Sequence, residues 1–225
     1  MLVAEAINTD TRVLTSIDTL AKALEQMDNL QVDTLPIINE TTRKLDGQIT
    51  RSVVESVDES KRDDALISQY GLEEPIMIFN NQHLFHAVQI LLQHEVRVLP
   101  VVDREHVFQG LIEKHQVLES LGKMLNLTEY GSVITVELAQ QDFTLSEIVQ
   151  LIETEGGKIL GITVEPPTAE RKTYEVSIKL NLQDVSRVAS ALRRYDYSVL
   201  TESKSESANI DLETRADEFL KFLDI

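Results

Sequence analysis

The chain has 225 residues, 42% of them hydrophobic, enough for one large or two small buried cores. Its 38 acidic and 21 basic residues give a formal net charge of −17, spread over both halves, which argues against nucleic acid or an anionic membrane as partner. Without cysteine it has no disulfide, thiolate metal site or cysteine nucleophile, and without an apolar run of membrane or signal length it reads as a cytoplasmic protein.

The first half contains an internal repeat. VDTLPIIN at 32–39 matches VRVLPVVD at 96–103, placing Pro36 and Pro100 at an offset of 64. Upstream, Leu20, Ala23, Leu24 and Met27 correspond to Leu84, Ala87, Val88 and Leu91, both sets at the i, i+3, i+4, i+7 spacing of a helix face. Downstream, Gly47-Gln48-Ile49 matches Gly110-Leu111-Ile112 at an offset of 63. Each copy reads as a short strand near Val13 or Met77, a helix, an apolar strand, a polar turn, a second strand and a closing helix. A copy of about 60 residues buries little surface alone, so the two are expected to pack together.

These residues resemble the tandem cystathionine β-synthase (CBS) domain, the Bateman module, over residues 1 to about 124. The resemblance implies adenine-nucleotide binding in a cleft, with a Thr or Ser after Gly-apolar-apolar facing phosphate and an Asp three positions later holding the ribose. The first copy keeps the hydroxyl as Thr50 but has Val53 at the acid position; the second has Glu113 and Gln116. Gln116 retains one acceptor, Glu113 opposes phosphate unless Lys114 compensates, and Arg51 and Arg97 are the remaining anion contacts. Thr50, Arg51, Arg97, Lys114 and Gln116 are therefore the candidate ligand-binding residues, and surface ion pairing is the alternative role for the arginines.

From Gly131 the period changes. GSVITVEL reads as a strand; a helix capped by Thr144 carries Leu145, Ile148, Val149 and Ile152 and ends at Gly156-Gly157. Strands follow at 159–164 and 174–180, then a helix through Val185, Val188, Ala189 and Leu192, and a last strand at 197–200. That βαββαβ order is the ferredoxin-like arrangement, and LIETEGGKILGITV is similar to an ACT domain. ACT members that bind amino acids usually have Gly or Pro in the first strand-to-helix loop. Here Ala139–Phe143 has neither and carries Asp142, which favours dimer formation as the domain's use. Leu212, Ala216, Phe219, Leu220 and Leu223 mark an amphipathic C-terminal helix.

The expected architecture is mixed α/β: CBS repeats at 1–60 and 61–125, an ACT-like domain at 126–202, and a linker and helix at 203–225. This order resembles small bacterial regulatory proteins of the acetoin-utilisation type. His83 and His86 lack a third ligand, and no catalytic triad, phosphate-cradling glycine loop or HExxH motif is present, so neither a metal site nor an enzyme is expected. Two functions stay open. One is a homodimeric sensor binding a small effector, an adenine nucleotide or nucleoside or an amino acid, and signalling to a protein partner. The other is a dimeric interaction module whose pockets have decayed.

Overall fold

Offsets of 64 and 63 residues recur throughout residues 1–121 of the computed structural model, which describes residues 1–9 and 13–203. In the first copy β1 (Leu14–Thr15) leads to α1 (Leu20–Leu30), β2 (Thr34–Ile38), β3 (Leu45–Thr50) and α2 (Arg51–Glu55). The second copy gives β4 (Ile78–Phe79), α3 (Leu84–Gln93), β5 (Val98–Val102), β6 (Phe108–Glu113) and α4 (Lys114–Met124). Each copy makes a three-stranded sheet whose apolar strand is central, parallel to the short opening strand and antiparallel to the third. Central strands flanked on both edges read as continuous apolar runs, as LPII and LPVV do. Even the irregularities repeat, with ladder shifts at Ile37/Ile38 and Val101/Val102 and left-handed residues at Gln31 and Glu95.

The helices bury the stripes their spacing predicts: Leu20, Ala23 and Met27 on α1, and Leu84, Ala87 and Leu91 on α3. Caps differ between the copies. Thr19 accepts from the Lys22 N–H at the start of α1, whereas at the equivalent position His83 Nδ1 accepts from the Phe85 N–H at 3.2 Å. His83 is therefore the N-cap of α3 and not an exposed residue along it.

Backbone pairing crosses between the copies in several places. The segment opening the first copy lies on the second: Val3 and Ala4 donate to the carbonyls of Gln82 and Asn80 at 2.9 and 3.0 Å, and Asn8 and Leu111 exchange hydrogen bonds at 2.8 and 3.1 Å. The equivalent segment of the second copy lies on the first, with Ile67 and Ser68 donating to Asp18 and Ser16 at 2.9 and 2.8 Å and Gln48 and Glu73 exchanging bonds at 3.0 and 2.9 Å. The glycines after each apolar strand make room for these crossings. A Cβ on Gly110 would lie 2.3 Å from Ile7 Cγ2 and 2.6 Å from the Asn8 carbonyl oxygen; one on Gly47 would lie 2.7 Å from Leu72 Cβ.

The chain divides into two units, Met1–Leu121 and Gly122–Ile225. In the second, β7 (Ser132–Ala139), α5 (Ser146–Thr154), β8 (Ile159–Glu165), β9 (Thr173–Leu180), α6 (Ser186–Arg194) and β10 (Ser198–Ser203) form an antiparallel sheet of order β10-β7-β9-β8, the ferredoxin-like topology. Ile134, Val136, Val176 and Ile178 pack there against Ile148, Ile152, Val188 and Leu192, all fully buried. Helix α5 begins later than its sequence indicates: Leu145 occupies the cap position without a side-chain bond, and the Thr144 hydroxyl contacts Ser146 Oγ at 3.4 Å. The amphipathic helix expected at 203–225 lies outside the described residues. Among the described residues no helix is long and apolar enough to cross a membrane.

Candidate functional site

A cleft of about 320 Å³ lies within the first unit where the two copies meet. The α1–β2 turn supplies Val32, Asp33 and Thr34, the α3–β5 turn supplies His94, Glu95 and Arg97, and Pro36 and Pro100 stand in the apolar strands. The volume is near the lower end of the roughly 300–1,000 Å³ seen for small-molecule sites. Both turns start from a left-handed residue, Gln31 (φ 54°) or Glu95 (φ 54°), that ends the preceding helix and directs the chain into the central strand.

Gln48 and Ile76 also line the cleft. Gln48 stands on β3, and its Oε1 accepts from the Ile76 N–H at 3.3 Å. Its counterpart in the second copy is Leu111, which is buried, so the two copies do not contribute equally.

Of the five sequence candidates, Arg97 lines the cleft. Its guanidinium Nη1 donates to Gln31 Oε1 of the first copy at 3.4 Å. Lys114 is exposed at the first position of α4, and its backbone N–H donates to the Arg97 carbonyl at 3.0 Å. Arg51 is engaged elsewhere in the first copy: it meets Asp28 at 2.8 Å, Asp33 at 3.0 Å and Glu55 at 3.5 Å. The hydrogen bond that Arg51 donates to Asp28 above all raises the Arg51 pKa, fixing its charge within that cluster. Thr50 Oγ1 bonds Ser52 Oγ at 2.9 Å, and Gln116 Oε1 accepts from the Glu113 N–H at 3.0 Å, closing the start of α4. Val53 packs against the first copy's core. Glu113 faces His115 Nδ1 at 3.5 Å.

Sequence reasoning passed over Gln48, Glu95 and Asp33 as cleft residues. Gln48 was accessible to it, since an amide facing a leucine across the repeat offset is a polar exception in an apolar register.

A second hollow, about 610 Å³, lies in the second unit between the loop after β7 and the turn before β10. Its lining includes the carboxylates Glu137, Glu147 and Asp196 and no basic residue, so an amino acid's carboxylate meets no cation among these residues. Glu147 accepts from the Tyr197 hydroxyl at 2.5 Å. The Asp142 side chain lies outside the described set. Among the described residues no group of three His, Cys, Asp or Glu side chains is arranged to hold a metal ion.

The CBS domain family model matches residues 67–123. The choline transport ATP-binding protein OpuBA of Bacillus subtilis (strain 168) is 26% identical over 117 residues, which is 52% of this chain and 30% of that protein's length. Among solved structures, a CBS domain pair/ACT domain protein from Thermotoga maritima superposes with a TM-score of 0.47 at 20% identity, covering 55% of this chain and 98% of that one. A protein assigned to acetoin utilization from Vibrio cholerae gives 0.47 at 19% identity, covering 57% and 95%. The structure of CBSX2 in complex with AMP gives 0.45 at 20% identity, covering 57% and 98%. The family match spans β4 through nearly all of α4, the same elements that the first copy builds 64 and 63 residues earlier, so residues 67–123 are the part of the chain that matches the CBS domain.

Proposed function

We propose that this chain is a non-enzymatic sensor whose first unit binds a small effector of the adenine nucleoside or nucleotide class. Occupancy is passed to a protein partner through a change in the arrangement of a homodimer. The observation that carries this reading is the cleft between the α1–β2 and α3–β5 turns, where Val32, Val96, Pro36 and Pro100 offer apolar walls to a planar ring and Thr34, Gln48 and Arg97 offer hydrogen bonds. A ligand touching both copies stabilises the arrangement in which they fit it, which is the physical requirement for a sensor.

Binding is weak on this reading. With Val53 and Gln116 where a ribose acid is expected, each lost charge-assisted bond removes roughly 1.5–3 kcal/mol, or one to two decades of affinity. Micromolar affinity is the expected ceiling. A thermal-shift series with adenosine, AMP, ATP and the amino acids tests this, because a ligand that binds only the native state raises Tm. Adenosine or AMP raises Tm in a concentration-dependent way if the reading is right; a response to amino acids alone, or to nothing, overturns it.

A second reading, a dimeric interaction module, is favoured by the helices of the second copy. Phe85, Leu92 and Leu118 are 58%, 67% and 72% exposed, and their counterparts in the first copy are Ala21, Asp28 and Glu55. Exposed apolar side chains gathered on the helices of one copy suit an interface. The absence of any ligand response, together with a stable dimer, selects this reading.

A further inference from the structure

We infer that the exposed apolar face of α3 and α4 is the docking surface for residues 204–225 of another molecule of this chain. The inference rests on the dimeric reading of that face and names what covers it.

The surface arises by replacement, position by position, between the two repeats. In the first, Arg51 at the start of α2 is tied to Asp28 on α1 at 2.8 Å, to Asp33 at 3.0 Å and to Glu55 at 3.5 Å. At the repeat offsets of 64 and 63 residues those acids become Leu92, Arg97 and Leu118, and Arg51 becomes Lys114. A network of charges that water solvates well is thus replaced by a cation beside two leucines, 67% and 72% exposed. Phe85, two turns before Leu92 on the same face of α3, extends the patch. Apolar side chains gathered in this way are stabilised by removal from water, as the carboxylates they replace are not.

Charge says what kind of segment fits. In a chain where 38 acidic residues outnumber 21 basic ones, α3 contains no Asp, Glu, Lys or Arg, and α4 has Lys114 and Lys123 against Glu119. The face is therefore apolar and weakly cationic on an acidic molecule, which suits an apolar stripe edged by carboxylates. Residues 204–225 have that pattern, with six acids against Lys204, Arg215 and Lys221. At helical spacing Leu212, Ala216, Phe219 and Leu223 share one stripe, and Glu213, Asp217 and Asp224 run along one edge of it. From Leu212 to Leu223 is about 17 Å of helix, similar to the length of α3 or α4. Two molecules that exchange these segments cover both faces and form a closed pair with no segment left over.

The test exploits the lack of cysteine: Thr214→Cys, on the side of the segment away from the stripe, gives the full chain a single attachment point for a nitroxide. Nitroxide-bearing chain without ¹⁵N is mixed with ¹⁵N-labelled natural chain, so that only contacts between molecules broaden amide signals. Broadening is expected at Phe85, Leu92 and Leu118 and not at their counterparts Ala21, Asp28 and Glu55. Light scattering over a concentration series gives the dimer affinity in parallel. Phe219→Ser with Leu223→Ser is expected to weaken it at least about tenfold, as loss of two buried apolar contacts implies. Lys114→Glu is expected to weaken it as well, and Glu213→Lys with Asp217→Lys in the same chain to restore it, a recovery that a folding defect would not show. A dimer whose α3 and α4 signals do not broaden, or whose affinity ignores the tail substitutions, overturns the segment as occupant and leaves the dimeric reading standing. Broadening seen only when nitroxide and ¹⁵N share a chain means that each segment lies on its own molecule and overturns the exchange. A single-chain mass for the natural protein overturns both.

Discussion

Asp18 ties together the turn that opens α1. Its carboxylate accepts from the Thr15 N–H at 2.8 Å and the Thr15 hydroxyl at 3.0 Å and pairs with Lys22. Burial works to raise its pKa, but the Lys22 ammonium and the two Thr15 donors together outweigh it and bring the pKa below the usual carboxylate value. A carboxylate with a depressed folded-state pKa adds stability above its unfolded pKa and loses it as pH falls through the folded one. Asp18→Asn is accordingly expected to cost about 1–2 kcal/mol at neutral pH and to flatten the loss of stability below about pH 4, read by urea denaturation at several pH values. In the second copy Gln82 Oε1 closes the equivalent turn from the Phe79 N–H at 2.9 Å, so a neutral amide can satisfy the geometry. A cost at pH 7 as large as at pH 3 would point to shape and not charge.

At the scale of elements, the exchanged opening segments make each copy depend on the other. Gly110→Ala is expected to destabilise by at least about 2 kcal/mol, because the added methyl meets both a side chain and a backbone carbonyl of the crossing segment. In a chain lacking residues 1–9 the same substitution should cost much less. Equal costs in the two backgrounds would contradict the crossing. His83 gives a second element-scale prediction. Removing the acceptor that caps α3, as His83→Ala does, is expected to lower Tm, whereas His83→Thr, the residue at the first copy's cap, is expected to keep it; equal losses in both variants would contradict a capping role.

The repeat itself was legible because it is written in side chains: two prolines, two helix stripes and two glycines at matching offsets specify strands and faces directly. The ferredoxin-like order was legible for the same reason. The exchange was not, because it is made by backbone N–H and carbonyl groups, which every residue carries alike. The glycines hinted at a close approach without naming what approaches. For the site, the motif positions pointed at Thr50, Arg51 and Gln116, but their local partners are set by how turns bring Asp28, Asp33 and the Glu113 N–H within reach. Arg97 lines the cleft because the turn before the proline strand lies there in both copies.

For the molecule as a whole, the exposed Phe85, Leu92 and Leu118 lead to the prediction of a homodimer at micromolar concentration. Light scattering should return twice the 25.4 kDa chain mass, and Leu92→Asp with Leu118→Asp should shift it toward one chain. A single-chain mass for the natural protein removes the dimer from the account. The central claim is that the cleft of the first unit is where a small effector acts, and the most direct measurement is the amide chemical-shift response of the ¹⁵N-labelled full chain to AMP. Saturable shifts are predicted at Val32, Asp33, Gln48, Val96 and Arg97, with residues 132–180 unaffected at first order. A spectrum that does not move at millimolar AMP, or moves only among residues of the second unit, would contradict the claim.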